Sequence, residues 1–211
     1  MTETTGVERR LELVSTVLLA LATVATAWAA YQSRQWTGEQ SQGYSHATAT
    51  RIAVNRSAAL ANRQVQIDVA TFIQWVDARE EGRNGLARFY RDRFRDEFRP
   101  AFSAWLDAKP FSAANAQPTP FALPQYRLKA ATQADKLEAT AAAGSQQAKE
   151  ANQRADNYML AVVLFATSLF FAGISTKLGS LRARAVILGL GCVVFLGTAI
   201  WLATLPTHVT I

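Results

Sequence analysis

Three long apolar runs alternate with polar sequence along the chain. The first, residues 11–31 (LELVSTVLLALATVATAWAAY), is 21 residues long and holds a single charge, Glu12, near its start. The second, residues 158–176, and the third, residues 185–205, carry no charge. At 1.5 Å per residue, about 20 residues in a helix cross a hydrocarbon core of roughly 30 Å. The pattern therefore predicts three transmembrane helices. Buried core helices of a soluble domain are the alternative, but three uncharged runs near the spanning length seldom coexist in so short a chain. The first run follows Arg9 and Arg10 and contains Ala27-Trp28-Ala29, two features of a cleavable signal peptide. Its apolar stretch exceeds the roughly 7–15 residues of a signal-peptide core, so it reads as an uncleaved anchor.

Between the first two runs, residues 32–157 change character: they hold 17 of the 22 basic and 13 of the 16 acidic residues. Strand-like alternation is nearly absent there, and helical spacing prevails. One stripe runs Ala47, Thr50, Val54, Ala58, Ala61, Val65, Val69, Phe72, Val76 and ends at the breaker Gly82-Arg83-Asn84-Gly85. A second runs Ala130, Ala134, Leu137, Ala141, Gly144, Ala148, Ala151, Ala155, Tyr158 in alternating steps of four and three. Small side chains on both stripes predict a close antiparallel pair, each helix continuing out of its membrane span; biased Ala-rich composition is the competing explanation. Between the stripes, residues 86–98 are expected as a helix with Tyr90, Phe94 and Phe98 on one face and Arg88, Arg91, Arg95 and Arg99 on another. Pro100 then opens a helix over 101–108. Pro110, Pro118, Pro120 and Pro124 force an irregular connection containing PTPFALPQY. The expected fold class is thus an all-α membrane protein: three transmembrane helices, the first two extending into an exported antiparallel helical hairpin capped by short helices.

Charge placement gives an orientation. The segments 1–10 and 177–184 carry Arg9, Arg10, Lys177, Arg182 and Arg184, whereas the tail 206–211 has no Lys or Arg. Positive-inside bias puts the first two in the cytoplasm. Trp28, Tyr31, Tyr158 and Trp201 then fall at the outer interface. The expected organisation is a cytoplasmic N-terminus at 1–10, spans at 11–31, 158–176 and 185–205, an extracytoplasmic domain at 32–157, a cytoplasmic loop at 177–184 and an outer tail at 206–211. The expected location is a bacterial inner (plasma) membrane, multi-pass.

Candidate chemistry is sparse. One cysteine, Cys192, and two histidines, His46 and His208, far apart in sequence, exclude a disulfide framework and make imidazole or thiolate metal sites improbable. No cofactor or metal is expected. No nucleophile elbow, phosphate-binding loop, zinc-protease motif or paired-carboxylate motif occurs, so the chain reads as a non-enzyme. Asn55-Arg56-Ser57 matches a glycosylation acceptor but falls on a packed helix. Arg88, Arg91, Arg95 and Arg99 could contact an anion or a partner. Asp92, Asp96 and Glu97, interleaved at helical spacing, make a self-paired face the competing reading, with pairs Arg88 to Asp92, Arg93 to Glu97 and Asp96 to Arg99. Residues 111–126, with Phe111, Phe121 and Tyr126, form either a recognition loop or a strap over apolar side chains. Within the spans no acid, base or amide cluster offers a charged pathway. Glu12 is expected to pair with Arg9 or with head groups. Ala22, Thr26 and Ala30 in the first span and Gly189, Gly191 and Gly197 in the third favour close helix packing or oligomerisation.

The segments TVLLALATVATAWAAYQSRQWTGEQ, PTPFALPQY and DNYMLAVVLFATSLFFAGIS together resemble a family of uncharacterised bacterial three-span membrane proteins, over nearly the whole chain. That resemblance implies no activity, ligand or site residues. Two functions are therefore carried forward: a membrane scaffold or interaction protein acting through its exported helices on a partner or a second copy, or a subunit of an oligomeric channel or transport assembly. The bilayer is the expected environment; nucleic acid is not an expected partner, and no small-molecule substrate is identifiable.

Overall fold

The computed structural model describes residues 6–111 and 117–207; residues 1–5, part of the proline-rich connection and His208 in the tail lie outside them. Among the described residues the chain is all helical. The helices are α1 (Gly6–Glu80), α2 (Asn84–Asp92), α3 (Arg99–Asp107), α4 (Lys129–Ser175) and α5 (Leu181–Ala203), with one 3-10 turn at Pro120–Ala122. Three of them, α1, α4 and α5, are long and apolar enough to cross a membrane. The chain divides into two compact units, one of residues 1–45 with 144–211 and one of residues 46–143.

The first unit contains the three apolar runs. Its core is built from small residues and aromatics: Ala29, Ala155, Tyr158, Ala161 and Phe165 form one cluster, and Leu18, Ala172 and Leu188 a second. Hydroxyls join the helices where no water would satisfy them. Ser15 donates to the Ala172 carbonyl at 3.2 Å, Ser33 to the Ala155 carbonyl at 3.0 Å, and Ser168 to the Gly191 carbonyl at 2.8 Å. In a hydrocarbon surrounding such bonds serve as interhelical glue. Of the small residues named above, Ala22 is fully buried, and a Cβ on Gly191 would come within 3.2 Å of the Phe171 Cβ. Ala30 is exposed, and Gly189 and Gly197 face open space. Glu12 and Arg9 are both exposed, and among the described residues no ion pair joins them. Ser180 caps α5, accepting from the Ala183 amide at 3.2 Å.

The second unit packs the 46–80 part of α1 with α2, α3, the connection and the start of α4. All nine members of the stripe from Ala47 to Val76 are buried or half-buried. α1 stops at Glu80, and Gly82 takes the left-handed conformation, φ 71°, that glycine adopts freely. The unit's core is aromatic. Phe72 and Trp75 of α1 meet Phe94, Phe98, Phe102 and Trp105, with Phe72 to Trp105 at 5.2 Å and Trp75 to Phe102 at 4.8 Å in edge-to-face contact.

One expected element is corrected. The helix over 86–98 ends at Asp92, and residues 93–98 form turns before α3 begins. Phe94 and Phe98 still reach the core, 2% and 0% exposed, so the aromatic spacing survives the break while the arginine stripe does not. Two interactions explain the interruption. Arg99 donates from Nε to the Phe94 carbonyl at 2.9 Å and from Nη2 to the Asp92 carbonyl at 3.1 Å, satisfying groups left open where α2 stops. Arg95 turns inward to a buried carboxylate.

Candidate interaction site

The carboxylate is Asp68, on α1. A row at seven-residue spacing, Ala47, Val54, Ala61, Asp68, Trp75, runs along the buried face, and Asp68 within it is fully buried. Its Oδ2 accepts from Arg95 Nη1 at 2.8 Å and from the Tyr126 hydroxyl at 3.0 Å. Arg95 reaches from the turn between α2 and α3, and Tyr126 from the connection before α4. One carboxylate oxygen therefore ties three separate segments together. The other Arg95 nitrogen pairs with Glu97, whose remaining oxygen accepts the Lys129 backbone amide at 3.2 Å, at the start of α4. A carboxylate there is favoured by the orphan amides and dipole of a helix N-terminus.

Burial is the largest influence on Asp68 and raises its pKa above the ordinary 3.8, outweighing the hydroxyl of Tyr126 and the guanidinium of Arg95. Burial and the bond to Asp68 likewise hold the Tyr126 phenol above its usual range. Asp68 Oδ1 and, one turn earlier on the same helix, Gln64 Oε1 are buried acceptors with no hydrogen-bond donor. Gln64 borders a cleft whose other walls are Phe94, Arg95, Asp96, Glu97 and Lys129.

The four arginines named from the sequence go to different places. Arg88 is exposed on α2. Arg91 and Arg99 share a polar cleft between α2 and α3, lined also by Asp92, Ser103 and Leu106. Arg99 is partly committed, to Asp96 at 3.1 Å and to the carbonyls of Asp92, the last residue of α2, and Phe94 in the turn after it. Arg95 belongs to the Asp68 cluster. Arg93 lies over the Phe89 ring at 3.5 Å. Of the three pairs named from spacing, Asp96 to Arg99 is formed, but from a turn to the start of α3; Asp92 pairs with Arg91 instead of Arg88, and Glu97 is held by Arg95 instead of Arg93.

The aromatics of the connection are also distributed. Phe121 stacks on Phe98 at 5.1 Å and meets Phe72 edge-on at 5.5 Å, while Tyr126 contacts Phe98 at 5.9 Å. Trp105 Nε1 donates to the Gln117 carbonyl at 2.8 Å, pinning the connection to α3. Phe111 differs. It is 51% exposed, with Trp105 at its edge and the Arg79 guanidinium 4.7 Å from its ring centre.

No protein-family model matches the chain, and no match was found among curated proteins or solved structures. The arrangement must therefore be judged on its own chemistry. Asp68 and Gln64 are absent from the residues singled out in the sequence, and Glu97 was named there only as a partner of Arg93. The signal for Asp68 was available: counting sevens from Ala47 lands on it. Arg95 as its partner carries no such signal, because the two are 27 positions apart.

Proposed function

We propose that this is a multi-pass membrane protein whose unit at residues 46–143 is an exported interaction module, working as a scaffold and not as an enzyme. The observation that carries this reading is a set of exposed apolar side chains spread over the outer half of α1. Ile52, Leu60, Ile67 and Ile73 are each about half exposed, on the face turned away from Ala47, Ala61, Asp68 and Trp75. Arg56 and Arg63 lie among them, and no acidic residue occurs in 40–67. Apolar side chains set among cations suit the helix of a partner or a second copy whose flanks are acidic. The aromatic core and the Asp68 tie hold the surface rigid, which limits the entropy lost on docking.

The antiparallel hairpin belongs to the same proposal. Ser33 bonds to Ala155, and Gly43 approaches Ala148 so closely that a Cβ on it would lie 3.0 Å from the alanine Cβ. Moving forward along α1 thus means moving backward along α4, which supports an antiparallel pair. The second reading, a channel or transport subunit, draws support from Gly189 and Gly197, small residues on α5 with open space before them and free for packing between copies.

The test is site-specific photo-crosslinking in native membranes, with the reactive side chain at 60 or 67 and, as control, at 141 inside the packed seam. Adducts from 60 and 67, lost on Ile52→Glu in the same chain, are expected. Absence of adducts at both outer positions overturns the module reading. A symmetric ring with a hydrated axis, seen after mild detergent extraction, replaces it with the channel reading.

A further inference from the structure

The three-span unit carries a feature that the module reading does not use. Along α1, Leu13, Val14, Val17 and Leu21 face Cys192 and Leu196 of α5 across an open groove with almost no polar surface. Near one end of that groove stand Arg9 and Arg10, within a turn of Leu13. On α5, Arg184 precedes Cys192 by eight residues, about 12 Å of helix. These basic ends lie at the same level of the bundle, because Leu11 and Leu188 pack in one cluster with Leu18 and Ala172. Arg184 is half-buried, and its Nε is a buried donor with no acceptor. A guanidinium nitrogen left so is costly unless an oxygen meets it. Among the described residues, none of Arg9, Arg10, Lys177, Arg182 and Arg184 is in an ion pair.

We propose that this end of the three-span unit binds an anionic phospholipid, its phosphate held by Arg184 with the neighbouring cations and one acyl chain lying in the groove. Three properties converge on that ligand. The planar fork of arginine matches phosphate oxygens. The loop at 177–184 holds Lys177, Arg182 and Arg184 and no acid, a net +3 that favours a head group of net negative charge over a zwitterion. The apolar groove begins at Leu13, three residues beyond Arg10, and suits methylenes that a free phosphate lacks. The inference rests on the membrane-spanning reading of α1, α4 and α5 and is independent of the exposed side chains at 52–73.

The full-length protein, purified in mild detergent, is tested by native mass spectrometry and thermal shift. The probes are dioleoyl phosphatidylglycerol, dioleoyl phosphatidylcholine and, separately, inorganic phosphate. One phosphatidylglycerol should be retained, about tenfold or more tightly than phosphatidylcholine. Arg184→Gln should weaken it by about tenfold or more, and Arg184→Lys, which keeps the charge and loses the Nε donor, should fall between. Val17→Trp, which fills the groove, should displace the lipid while leaving the arginines intact. Unchanged circular dichroism shows that each variant is folded; if R184Q does not fold, the R184K and V17W pair carries the same comparison. Equal retention of the two lipids, or no effect of either substitution, overturns the proposal. So does phosphate stabilising the protein as strongly as the lipid and indifferently to V17W, which would assign the cluster to a free anion. A dimer that V17W dissolves would instead make the groove a contact between copies and likewise overturn it. Because the readout is bound lipid, failure here leaves the crosslinks from 60 and 67 standing, and their failure leaves this site standing.

Discussion

A carboxylate that accepts from a guanidinium and a phenol is usually drawn toward ionisation, but at Asp68 the loss of water outweighs both, and its pKa rises from 3.8. The folded unit thus holds the Asp68 proton more tightly than the unfolded chain does. Its stabilising contribution is complete below the unfolded value and is lost as pH rises through the raised one. Asp68→Asn keeps an acceptor for Arg95 and Tyr126 and abolishes this titration. The difference between melting temperatures at pH 4 and pH 7 should therefore shift toward the acid side in the native protein relative to the variant. Equal differences in thermal scans of the two would mean that Asp68 titrates alike folded and unfolded. A second contrast at this scale concerns two glycines on α5. Gly191→Val must push branched atoms toward the Phe171 Cβ, 3.2 Å from its own Cβ position, and the Ser168 carbonyl, and overpacking of this kind costs about 1–3 kcal/mol. Gly189→Val meets open space and should change detergent-resistant stability little. A comparable loss in both would show that the tight approach at Gly191 contributes nothing.

The long helices were legible because their evidence is local. Seven-residue spacing of small and apolar side chains marked the buried faces of α1 and α4, and Gly82 marked where α1 stops. The end of α2 was not legible. The residues around Arg93 have good helix propensity and spacing, and nothing near them announces a break. The decision is made by Asp68, remote in sequence, which draws Arg95 inward, and by Arg99, which bonds the Asp92 carbonyl at the end of α2 and the Phe94 carbonyl in the turn. For the same reason the arginine stripe was only partly readable: spacing identifies a common face only while the helix lasts. The aromatic spacing was readable at Phe94 and Phe98, since both are buried despite the break. Trp75, like Phe72, meets both Phe102 and Trp105 from α1, and it is 4% exposed. Trp75→Ala should destabilise the 46–143 unit by about 3–5 kcal/mol. Urea unfolding followed by near-ultraviolet circular dichroism reads this loss, and a change under about 1 kcal/mol would mean the cluster refills the space.

At the scale of the whole chain, the same contacts that build the three-span unit also sort its ends. Ser15 bonded to Ala172 places the Arg9 and Arg10 end of α1 beside the end of α4 that leads to Lys177, Arg182 and Arg184. Tyr158, at the other end of the α4 span, donates its hydroxyl to the Pro206 carbonyl at 3.2 Å, and Trp28 and Tyr31 of α1 lie with ring centres 6.0 Å apart. Cations thus gather at one end and aromatics at the other, whichever way the unit is inserted. The segments that join or flank the spans at the cationic end are short, and short segments are those whose Lys and Arg content governs insertion. The segment at the aromatic end between the first two spans is long, so its own 17 basic residues have little influence. We therefore expect the cationic end in the cytoplasm and residues 46–143 outside. With Cys192 replaced by Ala, a cysteine at Gly85 should react with a membrane-impermeant maleimide on intact cells, whereas one at Gly179 should react only after permeabilisation. Both positions face open space, so neither change disturbs packing. Reaction at 179 and protection at 85 would reverse the orientation. The exposed apolar side chains of α1 at 52–73 would then face cytoplasmic partners, while the lipid site would move to the opposite leaflet with its chemistry unchanged.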